Sequence, residues 1–475
     1  MYVLADELED LKAASSSAKH PLTVLSLLDP YLEPLWAEVA SKYGEGWFYP
    51  LVKDGRIVGV TELWEMSGAV ELREVDLADE SLLPEFLEAV DRMMEHYRQR
   101  GFDICRITRA LKRDVAELDL APFLSAGWHR MGDFLAKGTF ETVQFEPVEL
   151  AAHALRKQGV AADTRFETVL DAVSHLGGLR YDYNVKLRVK DFRSLDSLHK
   201  RGVLVRGQAI PPFTTYCTEE DLRLFKAAKR AEIDEDMKTV LDVVAAEEPI
   251  SRARLLAVCP LDTNTTAAAL RKLLRGLQVA RDEEGRLRRV RDTRHTAEDA
   301  RRMVLERIVR SFGVFTAENL SAYTKHEYAM GETRRLLREF EHEGWLAKGF
   351  FAKGERTVYW ALRDDLPAIG AVPFKERFVL TPLDNLHVYF RPEIERRFGS
   401  GSSYVVFDGP EMVGAFKAKR SGWRLAVTEF QGDERARAIL QEWQEATDVR
   451  LEDDVDRVTD AEVQDWYEKM YKPKA

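Results

Sequence analysis

Thr263-Asn-Thr-Thr-Ala-Ala-Ala-Leu-Arg-Lys-Leu-Leu-Arg-Gly-Leu-Gln-Val-Ala-Arg-Asp-Glu-Glu-Gly-Arg-Leu-Arg-Arg-Val290 is the stretch that decides the fold. Leu270, Leu273, Leu274 and Leu277 recur at helical spacing, with Arg271, Lys272 and Arg275 on the other side, which predicts a helix over Thr263–Leu277. Two short apolar runs about Glu284-Gly285 then read as a hairpin rich in arginine: Arg286, Arg288, Arg289 and, just beyond, Arg291. Upstream, Met237–Ala246 predicts a first helix, and Ser251 stands where an N-cap begins a short second one. Three helices followed by a hairpin make a winged helix over 232–296.

The plan repeats downstream over 297–366. Val304, Leu305, Ile308, Val309 and Phe312 mark one helix, Thr316 caps a second, and Ala329–Glu343 forms the third, carrying Arg334, Arg335 and Arg338. Its wing runs Trp345–Phe351, turns near Lys353-Gly354 and returns as Arg356–Leu362. Upstream, residues 148–231 read as a related unit. Helices are expected over Val148–Gln158, Thr164–Leu176 and Glu219–Arg230, a polar helix around Asp191–Lys200, and a strand at Val203–Gly207, with Pro211-Pro212 as a breaker. Between them lies a glycine-rich turn, Leu176-Gly-Gly-Leu-Arg-Tyr-Asp-Tyr-Asn-Val185.

An α+β pattern stands at each end. In 1–147 a helix over Tyr31–Lys42 precedes strands at Trp47–Val52, Arg56–Leu63 and Ala69–Val75, and Leu83, Phe86, Leu87, Val90, Met94 and Tyr97 then predict a helix over 81–100. In 367–475 the order returns: Leu383-Asp384-Asn385 matches Leu28-Asp29-Pro30, and Asp408-Gly409 with Val413-Gly414 matches Asp54-Gly55 with Val58-Gly59. A third strand at Trp423–Phe430 and a helix over 433–447 follow. Several elements in one order indicate duplication. The start, Tyr2-Val-Leu-Ala, parallels Tyr359-Trp-Ala-Leu, the last strand of a wing, so the expectation is an orphan strand left by a lost preceding winged-helix array. The fold class expected is multidomain α+β, a tandem winged-helix (helix-turn-helix) array flanked by two duplicated α+β modules.

The chain carries a net charge of −11, but residues 1–147 hold 15 Lys/Arg against 27 Asp/Glu, whereas 251–310 hold 15 against 8. A local basic stripe governs phosphate contact more than the total does. Arg271, Lys272, Arg275, Arg286, Arg288, Arg289, Arg291, Arg334, Arg335 and Lys353 are therefore the expected DNA contacts, on third helices and wings. Duplex DNA is the expected partner; a protein-connector role is the alternative.

Other chemistry is poorly supplied. No phosphate-binding loop of the GxxxxGK[ST] type and no GxGxxG occurs, and Cys105, Cys217 and Cys259 are too far apart for a zinc ribbon. His295, His326 and His342 are isolated, so neither a metal nor a cofactor is expected. Glu62/Glu65 and Glu71/Glu74 read as surface charge on strands. With no long apolar run and no leader-like start, the reading is a cytoplasmic protein without membrane contact.

Leu150-Ala-Ala-His-Ala-Leu-Arg-Lys-Gln-Gly159, Val173-Ser-His-Leu-Gly-Gly-Leu-Arg-Tyr-Asp182, the two later units and Leu383-Asp384 together resemble the AlkZ-like (YcaQ-type) winged-helix DNA glycosylases. The resemblance implies excision of alkylated or interstrand-crosslinked bases by water attack on the N-glycosidic bond. That family's catalytic triplet is Gln-hydrophobic-Gln or Gln-hydrophobic-Asp, and Arg180-Tyr181-Asp182 stands at its place here. The first Gln becomes a donor-only cation, while a carboxylate is kept. Where the family carries an Arg-Gly-Thr-x-His-like segment, this chain has Pro211-Pro-Phe-Thr-Thr-Tyr-Cys217, with Thr215 near the His position. Asp182 is then a water-directing base, or a turn or capping residue between two packing tyrosines. Three functions follow: a DNA-repair glycosylase; a non-catalytic DNA-binding adaptor working with a helicase or other repair protein; or a protein-interaction scaffold whose acidic first module masks the basic channel.

Overall fold

The computed structural model describes residues 21–25, 37, 39, 41, 48–66, 68–210, 213–229, 231–325, 327–399, 404–421 and 424–446. The orphan strand at Tyr2, the Leu28-Asp29-Pro30 motif, Pro211-Pro212 and His326 lie outside those residues, as does most of the helix expected over Tyr31–Lys42. No helix among the described residues is long and apolar enough to cross a membrane.

Two antiparallel meanders stand far apart in the chain. Thr23–Val24, Phe48–Lys53, Arg56–Met66 and Ala69–Leu77 pair in order in one; Arg377–Leu380, Tyr404–Asp408, Glu411–Ser421 and Arg424–Gly432 pair in order in the other. The two longest strands of each begin and end 355 residues apart, as Arg56 against Glu411 and Ala69 against Arg424 show. The irregularities match as well. Leu51 pairs Gly59 and Val52 pairs Ile57, leaving Val58 extra; Val406 pairs Gly414 and Phe407 pairs Met412, leaving Val413 extra. A second bulge leaves Arg73 extra in the first copy and Thr428 in the second. Bulges re-aim a strand and are specific features of a fold, so two at one offset argue for duplication of the meander.

The hairpin turns correct the sequence alignment by one residue. Asp54 and Gly55 both have positive φ, 47° and 73°, as a type I′ turn requires. In the second copy Asp408 still pairs with Glu411, and the turn is Gly409-Pro410 with Gly409 at φ 60°. Glycine in the first central position followed by a residue of negative φ suits a type II′ turn, which proline tolerates.

The first module then departs from the second. Helix Leu83–Gln99 buries all six apolar residues its periodicity named and returns the chain to Ile104–Ile107, parallel to Ala69–Leu77. Glu71 is an unexpected burial, 3% exposed and held 2.8 Å from Arg106. Glu65 pairs with Arg100 and Glu74 with Arg109, while Glu62 accepts from Trp64 Nε1 at 2.7 Å.

In the middle of the chain, helices Pro147–Lys157, Val169–Leu176, Glu219–Lys229, Ala297–Phe312, Ala317–Thr324 and Met330–His342 contribute to one core that continues into Phe378, Val405 and Phe407 of the second meander. Residues 237–287 keep a separate small core. There, Glu235–Ala246, Arg252–Val258 and Thr263–Arg275 precede strands Val279–Arg281 and Leu287–Arg289. That hairpin is not isolated: Arg206 pairs with Arg281, joining it to Val205–Gln208 and Thr214–Cys217 in one four-stranded sheet. Ser251 accepts from the Arg254 N–H at 3.1 Å, as an N-cap should. Its loss in Ser251→Ala is expected to cost about 1 kcal/mol, read as faster amide exchange within 235–289 and little elsewhere.

Two helices are shorter than the sequence predicts. The expected helix Thr164–Leu176 starts at Val169, because the Thr168 hydroxyl accepts from the Asp171 N–H and the Asp171 carboxylate accepts from the Thr168 N–H. Phe166–Thr168 is instead a strand, parallel to Val189–Asp191, and the polar helix is confined to Leu195–Lys200.

The acidic first module packs on the unit 297–366. Buried Lys348 is held by Asp103 and, at 2.9 Å, by Glu341; the Glu141 and Phe145 N–H groups donate to Lys348 and Phe351 carbonyls at 2.7 Å. Arg334 lies 4.5 Å over Phe102, Arg338 donates to the Arg98 carbonyl at 2.9 Å, and Lys353 meets Glu146 at 2.8 Å.

Candidate active site

Gly177, at φ 79°, ends helix Val169–Leu176 in the left-handed conformation that favours glycine. Gly178 follows at φ 152°, where a Cβ would meet the Tyr216 carbonyl at 3.2 Å. Leu179 then exchanges two backbone hydrogen bonds with Tyr216, 3.0 and 2.8 Å, and this short ladder turns Arg180 inward. Arg180 is 6% exposed. Its Nη1 donates to the Leu383 carbonyl at 2.9 Å and its guanidinium lies 4.1 Å over the Phe213 ring, while Nε and Nη2 are buried without a hydrogen-bond partner. Burial pushes the guanidinium down to about 10.

Tyr181, in extended backbone, precedes helix Asp182–Lys186, so the glycine-rich turn of the sequence reading is partly helical. Asp182 is half-buried, and its Oδ1 accepts from the Leu195 N–H at 2.8 Å, one of the donors that the start of helix Leu195–Lys200 leaves open. Oδ2 accepts nothing among the described residues. Arg180 does not pair with Asp182 but turns to the Leu383 carbonyl.

The rest of the stretch is clamped onto the second meander. The Tyr183 hydroxyl donates to the Val379 carbonyl at 3.0 Å and accepts from Trp443 Nε1 at 2.9 Å, and burial pushes it up to about 12. Thr381 donates to Asn184, and Asn385 donates to the Gly178 carbonyl. Below them Arg188 and Asp384 form a two-pronged pair at 2.8 and 2.6 Å, their side chains 0% and 1% exposed. Asp384 also accepts from the Leu386 N–H at 2.8 Å. The sequence reading had Asp384 as a repeat marker and as part of the family resemblance, without a structural role, and missed Arg188; an arginine between apolar Leu187 and Val189 was the available signal.

A family model described as DNA glycosylase AlkZ-like matches residues 195–449, more than half of the 475-residue chain. The chain belongs to the AlkZ-like DNA glycosylase family. Among solved structures, the Streptomyces sahachiroi DNA glycosylase AlkZ is similar, with a TM-score of 0.50 and 14% identity over 65% of this chain and 97% of that one. At that identity the likeness to AlkZ is one of fold. No curated protein matches the chain. The AlkZ-like match begins at Leu195, whose N–H Asp182 accepts, so the Arg180-Tyr181-Asp182 triplet lies just before it.

The expected DNA contacts divide into three groups. Arg271, Arg275 and Arg291 are exposed and meet no carboxylate among the described residues. Lys272 meets Asp234, Arg286 meets Asp282 and Glu284, Arg288 meets Glu219, and Arg289 meets Glu248. Arg335 meets Glu298 and Glu339, whereas Arg334 and Lys353 contact the first module. No group of three or more metal-ligating side chains exists among the described residues, and Cys105, Cys217 and Cys259 are free, buried thiols. Thr215, near the family's His position, donates to the Gly207 carbonyl at 3.2 Å.

Proposed function

We propose that this chain is a DNA-repair glycosylase that excises alkylated or crosslinked bases from duplex DNA, with Asp182 directing the attacking water. The observation that carries the reading is the asymmetry of the Asp182 carboxylate: Oδ1 is fixed by the Leu195 N–H, while Oδ2 has no protein partner among the described residues. One oxygen orients the group and the other remains to accept a proton from water and to face the positive charge that develops on the sugar. Tyr181 and Arg180 flank it. Residues 232–296 act as a winged helix, with helix Thr263–Arg275 at the groove and the arginine hairpin on the backbone. Residues 297–366 share that plan, but with Arg334 and Lys353 turned to the first module they act as its platform and not as a second reader.

Incubation with duplexes carrying N3- or N7-alkylated purines or an interstrand crosslink, followed by detection of free base, tests the chemistry; release from none of them sinks it. For the grip, Arg271→Glu with Arg275→Glu is expected to flatten the dependence of log affinity on log salt by about 2. An unchanged slope removes that helix from the interface.

The second reading, a DNA-binding adaptor partnered by a helicase or other repair protein, is favoured by the Asp182 to Leu195 bond, which gives the carboxylate a capping role of its own. It predicts full DNA binding with no base release.

A further inference from the structure

Helix Asp182–Lys186 sets its first and last residues on one face, and both reach the segment that follows strand Val189–Asp191. An aspartate four residues before a lysine is ordinarily its ion-pair partner. Here that pair is not made. Asp182 accepts from the Leu195 N–H at 2.8 Å, while the Lys186 ammonium lies 4.9 Å over the Phe192 ring. The carboxylate and the aromatic ring are therefore held as neighbours by two contacts on one short stretch of chain.

Phe192 is 36% exposed on a surface otherwise charged. Its neighbours Asp191 and Arg193 are exposed as well, and residues 186–201 hold six Lys/Arg against two Asp/Glu. Of the six, Arg188 alone is buried, against Asp384; the other five face solvent. An exposed ring set among cations suits a nucleic-acid strand, because every base offers a face to stack on and every nucleotide a phosphate. An acidic peptide uses the cations but not the ring. An apolar partner uses the ring but must desolvate the cations.

We infer that Phe192 stacks on the base next to the target nucleotide, on the face bared when the target leaves the stack, and that Lys186 meets the phosphate between the two. The inference rests on the glycosylase reading, which places the target sugar at Asp182. Four residues of helix advance about 6 Å, so a strand with its sugar at Asp182 brings its adjoining phosphate, not a distant one, within reach of Lys186. A ring in the vacated gap also keeps the target base from returning to the stack.

The test is equilibrium binding of the full chain to duplexes with a tetrahydrofuran abasic analogue at the target position and either a normal base or a second analogue on its 5′ or its 3′ side. Wild type is expected to lose about tenfold in affinity when the base on one of those sides is removed. Phe192→Ala is expected to lose about tenfold on the duplex that keeps that base and nothing on the one that lacks it, whereas Phe192→Trp keeps a ring and binds like wild type. Lys186→Gln is expected to flatten the dependence of log affinity on log salt by about 1 on every duplex. Phe192 and Lys186 are both exposed, so the thermal midpoints of these variants should match wild type. Wild-type affinity that ignores the neighbouring base, or a Phe192→Ala loss equal on all duplexes, overturns the stacking subsite; an unchanged Lys186→Gln slope overturns the phosphate contact. The analogue has no base to release, so a chain that excises nothing yet shows this pattern overturns the glycosylase reading and keeps the subsite. One that excises damaged bases while binding all the duplexes alike does the reverse.

Discussion

Asp182→Asn is expected to slow single-turnover release of an alkylated base by at least about 100-fold while leaving duplex affinity and thermal stability close to wild type. Asparagine keeps a side-chain oxygen for the Leu195 N–H, so the link between helices Asp182–Lys186 and Leu195–Lys200 survives. What it removes is the carboxylate charge, which can neither take a proton from water nor offset charge on the sugar. Asp182→Ala removes the link too and should add a stability loss of about 1 kcal/mol. The pair of variants therefore separates capping from chemistry. Base release by Asp182→Asn at the wild-type rate leaves Asp182 a capping residue and returns the chain to the adaptor reading.

The largest stability effect is expected at the pair that clamps the site to the second meander. Asp384→Ala leaves the Arg188 guanidinium in a position with 0% exposure and no counter-charge, a loss of about 3–5 kcal/mol. It also opens the Leu386 N–H that Asp384 caps. Since several cores are present, the readout is a lowered thermal midpoint together with amide exchange that accelerates across 176–188 and 379–389. The double replacement Arg188→Met with Asp384→Leu removes both charges and should recover most of the loss, short of the missing cap. A near-neutral Asp384→Ala, or a double variant worse than the single one, contradicts a desolvated ion pair as the clamp.

The first module bears on how the charge pattern is read. Thirds of helix faces rich in arginine look alike in sequence, and Arg271 and Arg334 occupy comparable places in 232–296 and 297–366. Arg271 is exposed, yet Arg334 stacks on Phe102 and its neighbour Arg338 binds the Arg98 carbonyl. The acidity of 1–147 is thus spent partly inside the molecule, with Asp103, Asp133, Glu141 and Glu146 meeting Lys348, Arg356, Arg363 and Lys353.

By itself the sequence determined the elements whose cause is local. Helix Leu83–Gln99 follows from the spacing of its apolar face, the starts of Arg252–Val258 and Ala317–Thr324 from the hydroxyls of Ser251 and Thr316, and the repeat of the meander from Asp54-Gly55 and Val58-Gly59 recurring in order as Asp408-Gly409 and Val413-Gly414. Each of these depends on neighbours within a few residues, which one-dimensional patterns report. Even so, the hairpin of the second copy slipped by one residue in sequence, because Gly409-Pro410 satisfies a different turn from Asp54-Gly55. Only the tertiary structure decided what surrounds Asp182. The N–H it caps comes from Leu195, the anchor of Arg180 from Leu383, the aromatic cover of that arginine from Phe213 and the clamp from Asp384. These partners lie up to about 200 residues away, and nothing in the composition of Leu176–Val185 foretells whether a charge there meets water, a carbonyl or another charge; that is set by which surfaces the shared core brings together.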